Sequence, residues 1–534
     1  MAYVITQSCC NDASCVGECP VDCIRPTPDD PEFATTEMLY IDPETCIDCG
    51  ACVDACPVDA IFPEYELTVP NERYLDINAD YFQRHPLEIE MKHIKPPARL
   101  SRELGTLRVA IVGAGPAGCY AAQELRSRAD VEIEMLDRLP TPLGLIRAGV
   151  APDHPSTKGV ADVFESVLNH VELHLNVEVG QHVSHEELLG HCHAVIYAVG
   201  ASTDRHLGIP GEDLPGSHSA TEFVAWYNGH PDYVDRTFDF SGERAVIIGN
   251  GNVALDVARI LTLDPDELAR TDIADHALKA LRDSKIREVV VLGRRGPEQA
   301  AYSTPEFLAL SYLPGVDVII DPGQLERPGR DEPLKVQLAR EYAAKSAGAD
   351  RKRIVFRYLA SPVALTGGDH VAALEIAHNE LIEGVARPTG ETETLSASLV
   401  LRSVGYRGEP IKGLPFDDSR GLVPNANGRV ETVPGAYVTG WIKRGPRGVI
   451  GSNRIDAKET VEALLADFAS GVLQAPPRDR AGLRTLLDSR QPQIVDRAGW
   501  RAIDQHEREL GRAAQRPRVK LTTVAELLET ARRR

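Results

Sequence analysis

Six residues, Leu107-Arg108-Val109-Ala110-Ile111-Val112, form an apolar run too short for a helix and too continuous for a half-exposed strand. A glycine turn follows at Gly113, so the run reads as a buried strand entering a helix. A second strand, Glu132-Ile133-Glu134-Met135-Leu136-Asp137, ends on a carboxylate. The same grammar restarts at Arg244-Ala245-Val246-Ile247-Ile248 before Gly249, with a partner strand at Val289-Val290-Val291-Leu292. Two copies of one strand–turn–helix unit therefore stand in one chain. Apolar strands also close 194–200 and 398–405, which predicts that the second unit interrupts the first, which then resumes.

Both ends read differently. Residues 1–63 are short strands and turns with cysteines at fixed offsets. Residues 64–106 carry Pro70, Pro86 and Pro96-Pro97 without sustained periodicity, and read as a wrapping linker. After Ala475 a Pro/Arg-rich joint leads into mostly helical text. The expected partition is a head (1–63), linker (64–106), first unit (107–210 and 395–470), inserted second unit (211–394) and C-terminal extension (471–534). A chain of 534 residues is long enough for several such cores.

The net charge of −21 disfavours nucleic acid as a partner. No run approaches the roughly 18 apolar residues of a membrane span, which argues against a membrane site. The N-terminus lacks the basic and apolar regions of a signal peptide, so the expected location is the cytoplasm. Charge is uneven: Arg25 is the one basic residue in 1–63, whereas arginines recur from Arg478 to the terminal Arg532-Arg533-Arg534. A solvated acidic head and basic tail is one reading. Fold-back of the tail onto the head, or guidance of a redox partner, is the other.

Nine of the eleven cysteines lie in the first 56 residues. Without an export signal, ligation explains them better than disulfides. Cys46-x-x-Cys49-x-x-Cys52-x-x-x-Cys56-Pro57 has the spacing of a bacterial two-cluster iron–sulfur ladder, whose fourth cysteine serves the other cluster. Cys9, Cys15, Cys19 and Pro20 form a degraded echo of it. Crossing the ligands gives one full set, Cys46, Cys49, Cys52 and Cys19, for a 4Fe–4S cluster. The other set, Cys9, Cys15 and Cys56, has three thiolates and favours a 3Fe–4S cluster, as in a seven-iron ferredoxin. Whether Cys9 or Cys10 is the ligand stays open, and Cys10 or Cys23 can complete a second 4Fe–4S cluster. Cys119 and Cys192 read as core packing.

Gly113-x-Gly115-x-x-Gly118 opens a helix whose N-terminal amides can meet a pyrophosphate. Asp137, about 20 residues on at a strand end, suits ribose hydroxyls and hence FAD or NAD. The second turn, Gly249-Asn250-Gly251-Asn252-Val253-Ala254, is followed at its strand end by Arg294-Arg295, which match the 2′-phosphate of NADP. The fold class is thus α/β, with two Rossmann-like dinucleotide-binding domains for FAD and NADP behind a small α+β ferredoxin domain.

Leu139-Pro140-Thr141-Pro142-Leu143-Gly144-Leu145-Ile146-Arg147-Ala148-Gly149-Val150-Ala151-Pro152-Asp153-His154 resembles the adrenodoxin-reductase-like ferredoxin–NADP reductases. So do Gly249 to Asp256 and Gly440-Trp441-Ile442-Lys443-Arg444-Gly445-Pro446. The resemblance runs from about Leu107 to Phe468; with its head the chain resembles the mycobacterial-type ferredoxin/ferredoxin–NADP reductase fusions. It implies FAD contacts at Ala117, Asp137, Leu145, Val183, Trp441, Gly448, Val449 and Ile450. It implies NADP contacts at Asn250, Gly251, Asn252, Val253, Arg294, Arg295, Glu306 and Gly448. His154 is the candidate catalytic group, tuning the flavin or relaying a proton, with a structural role as the alternative.

The expected activity takes an electron pair from NADPH to FAD and single electrons to the chain's own clusters or an external ferredoxin or other one-electron acceptor. Lys443, Arg444 and Arg447 are the expected basic dock for the acidic head. The rival readings are an electron-input subunit of a larger oxidoreductase, like the small subunit of glutamate synthase, and a redox-sensing module without turnover.

Overall fold

The computed structural model describes residues 2–87, 99–325, 332–346, 348 and 350–533. The Pro96-Pro97 pair, with the rest of 88–98, and Arg534 lie outside the described residues.

The head is built on two antiparallel ribbons, Tyr3–Ile5 with Ile61–Pro63 and Ile24–Arg25 with Tyr40–Ile41. Ribbons this short are not stable alone. They are joined by helix Tyr74–Arg84, which buries Tyr74, Ile77 and Phe82. Buried Asn78 accepts from the backbone N–H of Ile5 (3.3 Å) and Ile41 (2.9 Å) and donates to the carbonyls of Ile5 and Tyr74. One side chain thus satisfies backbone groups of both ribbons. The stretch 64–106 is therefore more than linker. Its helix escaped notice because it is short and its apolar positions, Tyr74, Leu75, Ile77, Tyr81 and Phe82, are interleaved with polar ones.

The first unit is a five-stranded parallel sheet in the order Ala436–Val438, Ala194–Tyr197, Leu107–Val112, Val131–Asp137, Glu172–Leu175. The second is a six-stranded parallel sheet in the order Ser217–Ser219, Leu399–Arg402, Arg244–Ile248, Glu288–Leu292, Lys352–Arg357, Val316–Ile320. The strand within 398–405 thus belongs to the second unit, pairing with Arg244–Ile248, and not to the resumed first unit. A buried apolar strand carries no mark of which sheet it joins. The chain returns to the first sheet only at Ala436–Val438. A ribbon of Thr203–Asp204 with Tyr406–Arg407 pairs the outgoing and returning segments. An antiparallel sheet of Ala360–Gly367, Val371–Ile382 and Val385–Ser396 packs Leu365, Leu374, Ile376 and Leu395 onto Val246, Val290 and Val400 of the second sheet.

The C-terminal segment forms helices Arg480–Arg490, Arg497–Ala513 and Val524–Ala531. Its arginines pair with the reductase body: Arg480 with Glu134, Arg490 with Glu187, Arg516 with Asp275. Among the described residues, these arginines therefore meet the reductase body and not the head. Fully buried Glu507 takes a bidentate pair from Arg147 (2.5 and 2.8 Å), a single bond from Arg518 (3.1 Å) and the N–H of Leu521 (2.9 Å). Lys520 reaches Asp272 (3.0 Å), Asn228 (3.1 Å) and the carbonyl of Arg147 (3.2 Å), while Lys158 also holds Asp272 (2.6 Å).

Burial alone raises the Glu507 and Asp272 carboxyls, but Arg147 at the first and Lys158 at the second outweigh it, and both end below their ordinary range. The unfolded chain binds protons there that the native chain refuses, so this stabilisation is complete above about pH 4.5 and lost as pH falls below it. The denaturation midpoint is expected to be flat above that pH and to fall below it. Glu507→Gln leaves Arg147 buried without its counter-charge, while Arg518 keeps Asp504 (2.8 Å), and should cost about 3–5 kcal/mol. A thermal midpoint unchanged in that variant would rule out the clamp.

Candidate functional site

Each unit opens with the same turn. Gly113 has φ of 109° and Gly249 of 111°, and a Cβ on them would meet Ala198 O at 2.4 Å and Ser403 O at 2.2 Å. Only glycine lets each strand turn so tightly into the following helix, Pro116–Arg128 or Asn252–Thr262, whose N-terminal amides then face an incoming phosphate.

At the first turn, Gly144 crosses so close that its Cβ position lies 3.1 Å from the Gly115 Cα. This sets the start of helix Leu145–Ala148 over the Gly113–Gly118 loop, with Leu145 37% exposed. Asp137 accepts from the N–H of Ala114 and of Leu139, each at 2.9 Å, and burial raises its carboxyl. Gly440 abuts the Ala117 Cβ, which brings Trp441 to the same helix N-terminus. Gly448 has φ of 81°; the Val449 N–H donates to Ser452 (3.2 Å) and the Ile450 carbonyl accepts from Asn453 (2.8 Å). Val183 packs its side chain in the core with Val177 and Leu188, leaving only its backbone for a ligand.

At the second turn, Asn252 accepts from the N–H of Ser303 (2.7 Å) and Asn250 from that of Ala301 (3.4 Å). These bonds fix the loop ahead of helix Thr304–Ala309 beside Gly251 and Val253. Arg294 is exposed, and half-buried Arg295 donates to the Gln299 carbonyl (3.3 Å). The two units thus end their second strands on opposite charges, Asp137 and Arg294-Arg295.

Between the units lies a residue the sequence reading missed. Arg259, 3% exposed, donates to Asp153 (2.8 Å), Asp256 (2.5 Å), Glu306 (3.0 Å) and His154 Nε2 (2.7 Å). Guanidinium only donates, so Nε2 accepts and the ring proton rests on Nδ1. Burial raises Asp256, whereas at Asp153 burial is outweighed by Arg259 and the net shift is downward. The available signal was an arginine three residues after Asp256 on an otherwise apolar helix. His154 and Glu306 are thus brought together, 3.8 Å apart, around one cation.

In the head, Cys19, Cys46, Cys49 and Cys52 line one cavity, with Tyr3, Ile47 and Gly50. Cys23 lines it too, its sulfur 3.4 Å from that of Cys19, so it belongs with the complete set rather than completing the other. Backbone N–H groups point at the sulfurs of the candidate ligands: Cys23 at Cys19 (3.4 Å), Ala60 at Cys56 (3.3 Å), Leu39 at Cys9 (3.5 Å). Burial pushes Cys9 up to about 11 and Cys52 to about 12. Thiolates in such surroundings need a compensating metal charge, so the donor set fits iron–sulfur clusters.

The loop between Cys9 and Cys15 lies on the segment implied to hold FAD. Gly451 N–H donates to the Cys10 carbonyl (2.9 Å), and a Cβ there would sit 1.7 Å from Asn11 O. Asp12 accepts from the buried Tyr120 hydroxyl (2.6 Å) and its carbonyl from Arg454 (2.7 Å). Lys458 pairs with Asp29 (3.0 Å), Lys335 with Glu37 (3.3 Å), and Gln7 donates to Glu306 (3.2 Å). The expected dock at Lys443 and Arg444 is not used. Lys443 is buried on Thr460 (3.1 Å) and Glu459, and Arg444 pairs with Asp456 and donates to the Arg447 carbonyl (2.9 Å). These cations brace the turn on helix Ser452–Ala469 and leave the docking to the residues that follow.

Two dinucleotide turns of opposite strand-end charge, with a cysteine-rich head packed against both units, define a pyridine-nucleotide oxidoreductase joined to an iron–sulfur domain. Residues 107–290 match the pyridine nucleotide-disulphide oxidoreductase family, and residues 39–62 match the 4Fe-4S binding domain. The chain is 50% identical to the probable ferredoxin/ferredoxin–NADP reductase of Mycobacterium tuberculosis, over 99% of this chain and 95% of that protein. It is 48% identical to the NADPH-ferredoxin reductase FprA of the same organism, over 79% of this chain and 98% of FprA. The structure of M. tuberculosis FprA in complex with NADPH superimposes with a TM-score of 0.77 at 47% identity, covering 80% of this chain and 99% of that one. The chain belongs to the ferredoxin/ferredoxin–NADP reductase family.

Gly451→Val is expected to lift the head without unfolding it. Limited proteolysis in the 64–106 stretch should then quicken severalfold while the denaturation midpoint of the body changes little. Equal cleavage rates would show that the contact does not hold the head.

Proposed function

We propose that this chain is an NADPH-dependent flavoprotein reductase that delivers electrons to the iron–sulfur clusters of its own head and, through them, to an external ferredoxin or other one-electron acceptor. The observation that carries this reading is the contact of Gly451 with Cys10–Asp12. It joins the Gly448-Val449-Ile450 segment to the loop between two cluster ligands. NADP(H), FAD and the clusters together supply the conversion of a two-electron donor into single electrons. The protein's part is binding and placement.

The N-terminal amides of helix Pro116–Arg128 and the Asp137 carboxylate suit FAD, with Ala117, Leu145, Trp441 and residues 448–450 around its reactive end and Val183 offering its backbone. Asn250, Gly251, Asn252 and Val253 suit the NADP pyrophosphate, and Arg294 and Arg295 its 2′-phosphate. His154, its Nε2 on Arg259, holds a proton at Nδ1 between the two units, and Glu306 is fixed by the same guanidinium. Cys19, Cys46, Cys49 and Cys52 hold a 4Fe–4S cluster. Cys9, Cys15 and Cys56 hold the other, a 3Fe–4S cluster, with Cys10 as the remaining candidate for a fourth thiolate. Residues 471–534 belong to the reductase proper. In support, Glu507 and Lys520 grip Arg147. No observation favours the glutamate-synthase-like or sensor readings.

Replacing both Arg294 and Arg295 with Gln should raise KM for NADPH by about 100-fold, as two charge-assisted bonds are lost. KM for NADH should change little. Parallel changes for both nucleotides would overturn the assignment. Anaerobically purified protein should hold about seven irons per FAD, with a 3Fe signal when oxidised. About eight irons, falling to about seven in Cys10→Ser, would make Cys10 a ligand and replace the 3Fe–4S assignment.

A further inference from the structure

The two ends of the head are unlike. The loop between Cys9 and Cys15 is closed against Gly451, Arg454 and Tyr120. At the other cysteine set, Ile47, Asp48 and Cys49 are exposed, Ile47 at 58%, and Ile47 lines the cavity that Cys49 shares with Cys19, Cys46 and Cys52. Beside them, Tyr65 is 61% exposed. Tyr3 lines the same cavity, its hydroxyl 3.2 Å from the Cβ position of Gly50, and its strand pairs with Ile61–Pro63, which runs straight into Glu64–Glu66.

The head segment that forms this face carries charge of one sign. The sequence holds no lysine, arginine or histidine between Arg25 and Arg73, while Glu44, Asp48, Asp54, Asp59, Glu64 and Glu66 all fall there. Both bounding arginines are committed, Arg25 to Asp22 (2.6 Å) and Arg73 to Glu341 (2.8 Å). An apolar centre inside a rim of one charge is the form of a docking face for a transient partner of the opposite charge.

We propose that the face formed by Ile47, Asp48 and Cys49, with Tyr65 and Glu66 beside it, is where a basic-rimmed one-electron carrier protein docks to receive electrons from this chain. The proposal rests on the reductase reading above. Each encounter removes one electron from the head and reduces the carrier by one. NADPH supplies electrons in pairs, so each NADPH oxidised to NADP⁺ and H⁺ reduces two carriers. Carboxylates steer the encounter from a distance and Ile47 supplies the short-range contact, so the complex forms fast and parts fast, with a rate that falls steeply with salt.

The test uses the full-length holoprotein with cytochrome c, a lysine-rimmed one-electron acceptor, as probe. Carbodiimide cross-linking at low salt followed by peptide mapping should join cytochrome c lysines to Asp48 or Glu66. In Asp48→Asn/Glu66→Gln, cross-linking should fall, and NADPH-driven cytochrome c reduction at low salt should slow on the order of fivefold and become less dependent on salt. Asn suits the left-handed backbone at Asp48, where φ is 58°. Iron content and NADPH–ferricyanide turnover should stay as in the parent. Cross-links mapped elsewhere, no cross-link, or an unchanged reduction rate in the variant would overturn the docking face. Loss of NADPH–ferricyanide turnover in the parent protein would instead sink the reductase reading beneath it.

Discussion

Everything downstream of the dinucleotide turns depends on one close backbone approach, that of Gly451 to Cys10–Asp12. A side chain of any size at 451 is incompatible with it. The contact is therefore set by main chain on both sides, not by long side chains that can reorient. Asp12 adds two directional bonds, to Tyr120 on the first helix and to Arg454 on the last long helix of the first unit. Of the charge pairs at the periphery, Lys458 with Asp29 is exposed enough to contribute little energy, while the half-buried pair of Lys335 with Glu37 helps to orient the head. The head is placed by a buried steric fit and only trimmed by electrostatics.

A second theme is how the segment 139–154 is held. Its distal end carries Asp153 and His154, which are gripped by Arg259 from the second unit. Its middle carries Arg147, gripped by Glu507 from the C-terminal helices. Buried ion pairs repay their desolvation only when geometry is good, and they gain position more than stability. Here they pin one loop from two directions, and the loop crosses the first glycine turn at Gly144. The C-terminal helices are thereby tied to the first unit, although no motif in them announces it.

The sequence disclosed best what is local. The two glycine turns, the strands before them and the cysteine ladder are short-range patterns, and each lies in the structure as a strand entering a helix or as a loop of converging sulfurs. Relations between distant segments were not legible. Nothing in Leu399-Val400-Leu401 distinguishes a strand of the second sheet from one of the first, since both sheets bury their strands alike. Helix Tyr74–Arg84 was read as connection because its role depends on Asn78, a polar residue whose value lies wholly in what it meets. Arg259 and Glu507 were invisible for the same reason: a charged residue is assumed solvated until its partners are known. Lys443 and Arg444 erred in the other direction, as exposed-looking cations that turned out to be internal braces.

The return of the chain at Ala436–Val438 carries a consequence for synthesis. Ala194–Tyr197 keeps one edge open until that late strand arrives, after the whole inserted unit has been made and folded. An open, fully apolar strand edge is a template for wrong pairing. Long-range parallel pairing of this kind is also slow. The nascent protein therefore passes through a state in which the head and the inserted unit are complete while the first sheet waits with a sticky side. In that interval the chain is most exposed to aggregation, and a chaperone would matter most there.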